Sequence, residues 1–323
     1  MIIRRTRQKG AALLIVLLLA ATLSFVAMSA MQRTALAAAR AGNVDARGEA
    51  LWRAFAVENL ALAAAEQFAS ADNPTMSLDD EWARDPIELP LEGGAARVFF
   101  ADATACFNIN SLAVPYGEPA GEDAISEFVR LAGMLGIGEF QAAALAEAIG
   151  DWIDADTNRR PQGGEDEFYT ALPSPYRTGN RPMAAITELR SVKGVSREIY
   201  GSLKPYLCAL ASADPSPVNV NMLAERHAPL LAAMLGPEAT VQTANDIISS
   251  RPPGGFATEE AFMASPLVAA LKLEKTGRLQ VTSRYLIARA EIVYDTALIE
   301  MTSTIEANAQ GARIIARRIG AEE

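Results

Sequence analysis

The 323-residue sequence predicts an α+β protein: a long N-terminal transmembrane and amphipathic helix packed on a small antiparallel sheet, with a large all-α domain inserted between strands. Three observations predict it. Helix formers dominate residues 11–70 and no proline interrupts them. Strand-like alternation is confined to residues 95–110 and to the stretch after 285. The roughly 170 residues between carry helical patterns broken by Pro and Gly, too many for a loop in a compact unit.

Composition narrows the chemistry. Half of the residues are hydrophobic, enough for a sizeable core. With 39 acidic against 29 basic residues the charge is −10, which opposes a general nucleic-acid role because phosphate needs a cationic face. One histidine and two cysteines exclude His-rich metal sites, four-cysteine zinc and most His-dependent catalysis. His227, beside Arg226, has no nucleophile to serve. Carboxylates remain, and they bind hard cations such as calcium.

The first element starts with Arg4, Arg5, Arg7 and Lys9, after which residues 11–31 carry no charge. As a helix these 21 residues span about 31 Å, one hydrocarbon core. Cations before the span keep the N-terminus cytoplasmic and place the bulk outside the cytoplasm. A cleaved secretory signal and a plain membrane anchor both fit this much; Ala27-Met28-Ser29-Ala30 keeps the first alive. Beyond the membrane, Leu51, Phe55, Leu60 and Leu62 suggest a stripe packed on a domain, and Asp72-Asn73-Pro74 supplies the stop.

Strands follow in residues 97–100 and 106–110. Residues 285–294 alternate, with Leu286, Ala288, Ala290, Ile292 and Tyr294 on one face. Residues 296–306 repeat the device with Ile299, Met301 and Ile305 opposite Glu300, Thr302, Thr304 and Glu306, and residues 313–319 supply a last strand. Helical patterns fill residues 128–135, 141–153, 223–235 and 243–250.

Residues 151–169 hold six acids against two arginines in a Pro- and Gly-containing loop. Asp154, Asp156, Asn158 and Glu165 fall at positions 1, 3, 5 and 12 of an EF-hand count. Arg159 replaces the required glycine and Pro161 the usual hydrophobic residue, so this is no EF-hand. The loop is either a solvated acidic surface or an oxygen-ligand cluster whose carboxylates repel one another without a cation. Cys106 and Cys208 are either buried thiols or, in an oxidising compartment, a bridge. The stretch from Leu189 through Val192-Lys193-Gly194-Val195 resembles a helix-hairpin-helix turn, and Asn219-Val220-Asn221 followed by residues 251–256 looks like a degenerate second copy. Ser196 replaces the second glycine, which favours a packing module over a DNA clamp.

Lys9-Gly10 abutting Ala11-Ala12-Leu13-Leu14 resembles a type IV prepilin leader, which a prepilin peptidase cuts after the glycine, leaving Ala11 as the mature N-terminus. Losing four cations takes 29 basic residues to 25 against 39 acidic ones, a charge of −14. Pilins and most pseudopilins carry glutamate at mature position 5, thought to neutralise a neighbour's buried amine; Ile15 stands there. Together with Asp151-Trp152-Ile153-Asp154-Ala155-Asp156, Gly164-Glu165-Asp166, Pro175-Tyr176, Asn180-Arg181-Pro182, Pro205-Tyr206 and Asn219-Val220-Asn221 in order, the chain resembles the protein K family of type II secretion, the large minor pseudopilins.

That resemblance implies a leader (1–10), a transmembrane part (11–31), a pseudopilin α+β domain (32–111 and 279–323) and an inserted helical domain (112–278) with helix-hairpin-helix-like parts at about 112–212 and 213–278. It implies two structural calcium ions, with Asp154, Asp156, Glu165 and Asp166 as best ligands and Asn158 and Asn180 as weaker ones. It further implies a non-enzymatic subunit in the bacterial inner membrane, N-terminus cytoplasmic and bulk periplasmic, incorporated at the pseudopilus tip to initiate or cap assembly in support of export. Its partners would be minor pseudopilins I and J, indirectly H and the major pseudopilin G, besides the prepilin peptidase and membrane lipid, and not nucleic acid. The competing reading from the turn motif is a membrane-anchored helix-hairpin-helix DNA-binding protein of a DNA-uptake apparatus.

Overall fold

A computed structural model describes residues 8–70, 75–113, 119–273, 278–308 and 310–320. The predicted stop at Asp72-Asn73-Pro74 and residues 1–7 of the leader lie outside the described residues. The chain opens with α1 (Gln8–Phe68), α2 (Glu81–Arg84), β1 (Ile87–Leu91) and β2 (Gly94–Asp102). The insertion then runs through β3 (Phe107–Asn108), α3 (Pro119–Met134), α4 (Glu139–Ile153), α5 (Asp166–Thr170), α6 (Arg197–Leu203), β4 (Leu207–Cys208), β5 (Val218–Asn219), α7 (Ala228–Leu235), α8 (Val241–Ser249), α9 (Glu259–Met263), α10 (Pro266–Ala269) and β6 (Leu279–Gln280). Three strands close the chain: β7 (Tyr285–Tyr294), β8 (Ala297–Asn308) and β9 (Gly311–Ile319).

Helix α1 is exposed on every side from residue 11 to the first buried position at Ala46, except for half-buried Ser29, and its apolar run is long enough to cross a membrane. From there one face is buried: the expected Phe55 and Leu62 pack at its edge, Leu60 is 55% exposed, and Ala50, Ala54, Val57, Ala61 and Ala65 form its centre against the sheet. Steps of three and four residues keep these positions on one face, and methyl side chains let the helix approach the strands closely where leucine would hold it off. Their cover is the inner face of the sheet: Ala96, Val98, Phe100, Leu286, Ala288, Ala290, Ile292, Ile299, Met301 and Ile305.

The sheet is antiparallel in order β1-β2-β7-β8-β9. Edge strand β1 escaped sequence reading, being short and containing Pro90, which an edge tolerates. Glu306 lies on the expected polar face, opposite Ile305 and Ala307, yet is only 4% exposed because Arg284 and Arg313 cover it; the register shift at Thr304/Ile305 falls in β9, which carries the extra residue. There Arg284 Nε and Arg313 Nε donate to it at 2.8 and 2.6 Å.

The insertion leaves from Asp102 and returns at Tyr285, on neighbouring strands. Phe68, at the end of α1 remote from the apolar run, stacks on Trp82 at 4.7 Å and meets Phe100 edge-on at 5.2 Å, two residues before that exit. At the opposite end of the sheet the Arg53 guanidinium lies 3.9 Å over the Tyr294 ring. The helical domain therefore sits on the membrane-distal pole of the α1–sheet unit.

The expected boundaries at 111/112 and 278/279 fall inside the helical domain's own core, because Phe107, Ile109 and Leu279 pack there. Strand-like residues 106–110 pair in parallel with β4, and β5 with β6, apart from the main sheet. Asn108-Ile109-Asn110 and Asn219-Val220-Asn221 repeat one device. The first Asn Oδ1 accepts the second's backbone N–H, at 3.2 and 2.9 Å. The second Asn side chain pairs with both backbone groups of a distant residue, Met183 or Phe256, replacing a missing peptide partner. So the 219–221 segment duplicates residues 108–110, not the 189–195 turn as the sequence suggested. An arginine completes each half: Arg160 Nη1 donates to Leu112 O and Arg251 Nη1 to Leu223 O, at 3.3 and 2.9 Å. Arg251 follows α8 after the single residue Ser250, whereas six residues of the acidic loop separate Arg160 from α4.

Candidate metal centre

Asp154 caps α4, its N–H still donating to Gly150 O at 2.9 Å, so its side chain is delivered at the helix end. Asp156 Oδ1 accepts the N–H of Asn158 at 2.7 Å and turns the chain back. Glu165 precedes α5 in extended backbone, and it is 5% exposed. One carboxylate oxygen from each of Asp154, Asp156 and Glu165 lies within 4.8 Å of the other two, and this is the one such acidic trio among the described residues.

Behind the trio stands a buried pair. The Arg160 N–H donates to Asp151 Oδ1 and Oδ2 at 3.3 and 3.2 Å, and its side chain meets Asp151 at 3.4 Å. Arg160 Nη2 donates to Asp154 Oδ2 at 3.1 Å, while Asp154 Oδ1 is buried without a hydrogen bond. The pair fits only because of two glycines. A Cβ on Gly150 would lie 1.8 Å from Arg160 Nη1, and one on Gly163 2.0 Å from Asp151 Oδ2.

Burial and mutual repulsion load the site. Desolvation pushes Asp151 up to about 6 against the attraction of Arg160, and raises Asp154 as well. Glu165 rises from the ordinary 4.5 to about 7, by desolvation first and then by the charges of Asp151, Asp154 and Asp156. Asp154 Oδ1 and both Glu165 oxygens are buried and receive no hydrogen bond of ordinary geometry, and Asn180 Oδ1 nearby in the fold is in the same condition. Unsatisfied buried oxygens of this kind are costly, so the donor set fits a hard divalent cation.

The remaining predicted ligands go elsewhere. Asp166 stays outside the trio because its Oδ1 accepts from Thr178 N and Oγ1, both at 2.9 Å, tying down the returning segment. Asn158 is exposed and contributes its backbone N–H to the turn. Sequence reading missed Arg160 and Lys193. Lys193 Nζ donates to Gln162 O and Gly163 O at 3.0 and 2.7 Å, so the cation of the helix-hairpin-helix-like turn is spent on the loop's backbone. The only signal for either was a cation inside or opposite an acidic cluster.

Cys106 and Cys208 are bonded, joining the start of the insertion to β4. His227 Nδ1 accepts the N–H of Ala224 at 3.0 Å, and burial lowers it to about 4, so it is a neutral cap. Gly10 and Ala11 lie within α1, and Ile15 is exposed on its apolar run.

Two family models, both described as type II secretion system (T2SS), protein K, match residues 105–212 and 218–282, one for each half of the helical domain. The chain is 32% identical over 327 residues to the type II secretion system protein K of Pectobacterium carotovorum subsp. carotovorum, covering 98% of each. It is 34% identical over 294 residues to that of Aeromonas hydrophila, covering 88% of each. Among solved structures it resembles a chain of the GspK-GspI-GspJ complex from the enterotoxigenic Escherichia coli type 2 secretion system. The TM-score is 0.73 and the identity 30%, over 85% of this chain and 97% of that one.

Proposed function

The chain belongs to the type II secretion system protein K family, a minor pseudopilin, and from that premise we propose that it occupies the tip of the pseudopilus, where it initiates or caps assembly and supports protein export across the outer membrane. The observation that carries this reading is the helical domain on the membrane-distal pole of the α1–sheet unit. Bulk at that pole obstructs a further subunit above, while the exposed length of α1 below remains free for neighbours. Ile15 supports the same placement, since a subunit without the usual glutamate suits an end of the filament. The partners are minor pseudopilins I and J, by likeness to the complex above, with H and G following below.

Cleavage between Gly10 and Ala11 by a prepilin peptidase prepares the chain, which sits in the inner membrane with its bulk in the periplasm. There the Cys106–Cys208 bond is compatible with the compartment. N-terminal sequencing after co-expression with the peptidase reads Ala11 first; an intact Met1 sinks this step.

Calcium at Asp154, Asp156 and Glu165 completes the loop, with Asn180 and main-chain oxygens available to fill the shell. When bound, the ion neutralises the mutual repulsion of the acids and ties the end of α4 to the start of α5. Asp151 and Arg160 orient Asp154 toward it, and Lys193 fixes the opposite side of the loop. The role is structural.

A further inference from the structure

The turn between residues 189 and 195 leaves a surface that membership of the family does not account for. Beside the N-terminal end of α6 lies a groove of about 610 Å3 lined by Arg190, Val195, Ser196, Arg197 and Tyr200. Arg190 and Arg197 are exposed, and neither forms an ion pair among the described residues. The Arg190 guanidinium lies 5.9 Å from the Tyr200 ring centroid, and Lys204 Nζ is at the same distance from that ring. The neighbouring acids are already engaged. Glu188 Oε1 accepts the N–H of Ala184 at 2.8 Å, and Glu198 is hydrogen-bonded by the Ser196 hydroxyl.

The walls are held from behind. Gly194 takes φ +83°, a conformation that places the turn without strain. Ser196 Oγ accepts the N–H of Ile199 at 3.2 Å and starts α6. Tyr176 OH donates to Ser191 O at 2.9 Å, and Lys193 N donates to Tyr169 OH at 3.1 Å. A ligand would thus meet cations whose backbone is already ordered, which lowers the entropy lost on binding.

We propose that this groove binds a carboxylate-bearing polypeptide segment of another protein, with Arg190 and Arg197 on its acidic side chains and Val195 and Tyr200 against an apolar one. Two unpaired guanidinium forks on a chain of formal charge −10 are a local inversion of sign, and the fork matches carboxylate geometry. Nucleic acid fits less well. Lys193, the turn's own cation, faces inward to the Gln162 and Gly163 carbonyls and is not offered to a run of phosphates. The inference depends on neither the tip placement nor the identity of the loop's cation.

Fluorescence anisotropy on the full chain in detergent, with calcium present, tests it. The probes are a labelled peptide of Glu, Asp and Leu, the same peptide with Gln and Asn, and single-stranded DNA of equal charge. The acidic peptide binds saturably, and R190E/R197E weakens it by at least about tenfold, as loss of two charge-assisted contacts requires. R190Q/R197Q weakens it less, and both variants keep the wild-type melting transition. Equal binding of the neutral peptide, unchanged binding by R190E/R197E, or displacement of the peptide by tighter-binding DNA overturns the proposal.

Discussion

Gly150 has no room for a methyl group, because the Arg160 guanidinium lies where its Cβ would be. Gly150→Ala therefore displaces Arg160 from Asp151 and Asp154, and urea unfolding should show a loss of about 1–3 kcal/mol together with weaker calcium binding. Glu165 sets a pH dependence whose sign follows from its raised value. The folded, calcium-free state holds this proton more tightly than the unfolded chain, so stability from this group is full below about 4.5 and is lost as pH climbs to about 7. In chelator, wild type minus Glu165→Gln should lose melting temperature across that window, and saturating calcium should reverse the trend. A flat difference in both conditions contradicts the account. The trio was legible in the sequence because acids at spacing 1, 3 and 12 are a local pattern. The role of Asp166 was not, since Thr178 reaches it only after the chain has turned around α5.

At the scale of elements, α1 meets the sheet through alanines and one charge. Glu58 is 3% exposed on that buried face, where Arg317 Nε of β9 donates to it at 2.8 Å. Arg317→Met leaves the carboxylate buried without its cation, held only by the Ser303 hydroxyl. Because Arg317 is half-exposed, the expected cost is about 2 kcal/mol, below that of breaking a fully buried pair, and chemical denaturation of the full chain in detergent reads it. The Cys106–Cys208 bond closes the first half of the insertion, so reduction should lower the melting temperature, the loss of stability being at most about 4–5 kcal/mol in the chain-entropy view. The alternation of β7 and β8 made those strands readable, Glu306 included, although not the two arginines that bury it on the outer face. The helix stripe was only partly legible: Phe55 and Leu62 do pack on the core, but its centre is alanine, which close packing on a sheet selects. Nor did local pattern separate residues 106–110 from the main sheet, since only their distant partner β4 decides that.

Across the whole molecule, polarity is the organising feature. An apolar helix end, a bare helical stretch, a sheet and then a two-part helical domain follow one another away from the membrane side. The acidic loop and the arginine groove both belong to the first half of that domain, braced against each other through Lys193. Chelation should therefore lower the melting temperature of the helical domain, and unchanged melting would remove calcium from the account. The central claim, assembly at the tip with partners I and J, is tested most directly by expressing the full chain with those two subunits from its own secretion system and purifying it in detergent. All three should elute together, and deletion of residues 103–283 should leave the helix-mediated contacts while removing the block to further assembly. Elution of this chain alone, with I and J still bound to each other, would contradict the claim.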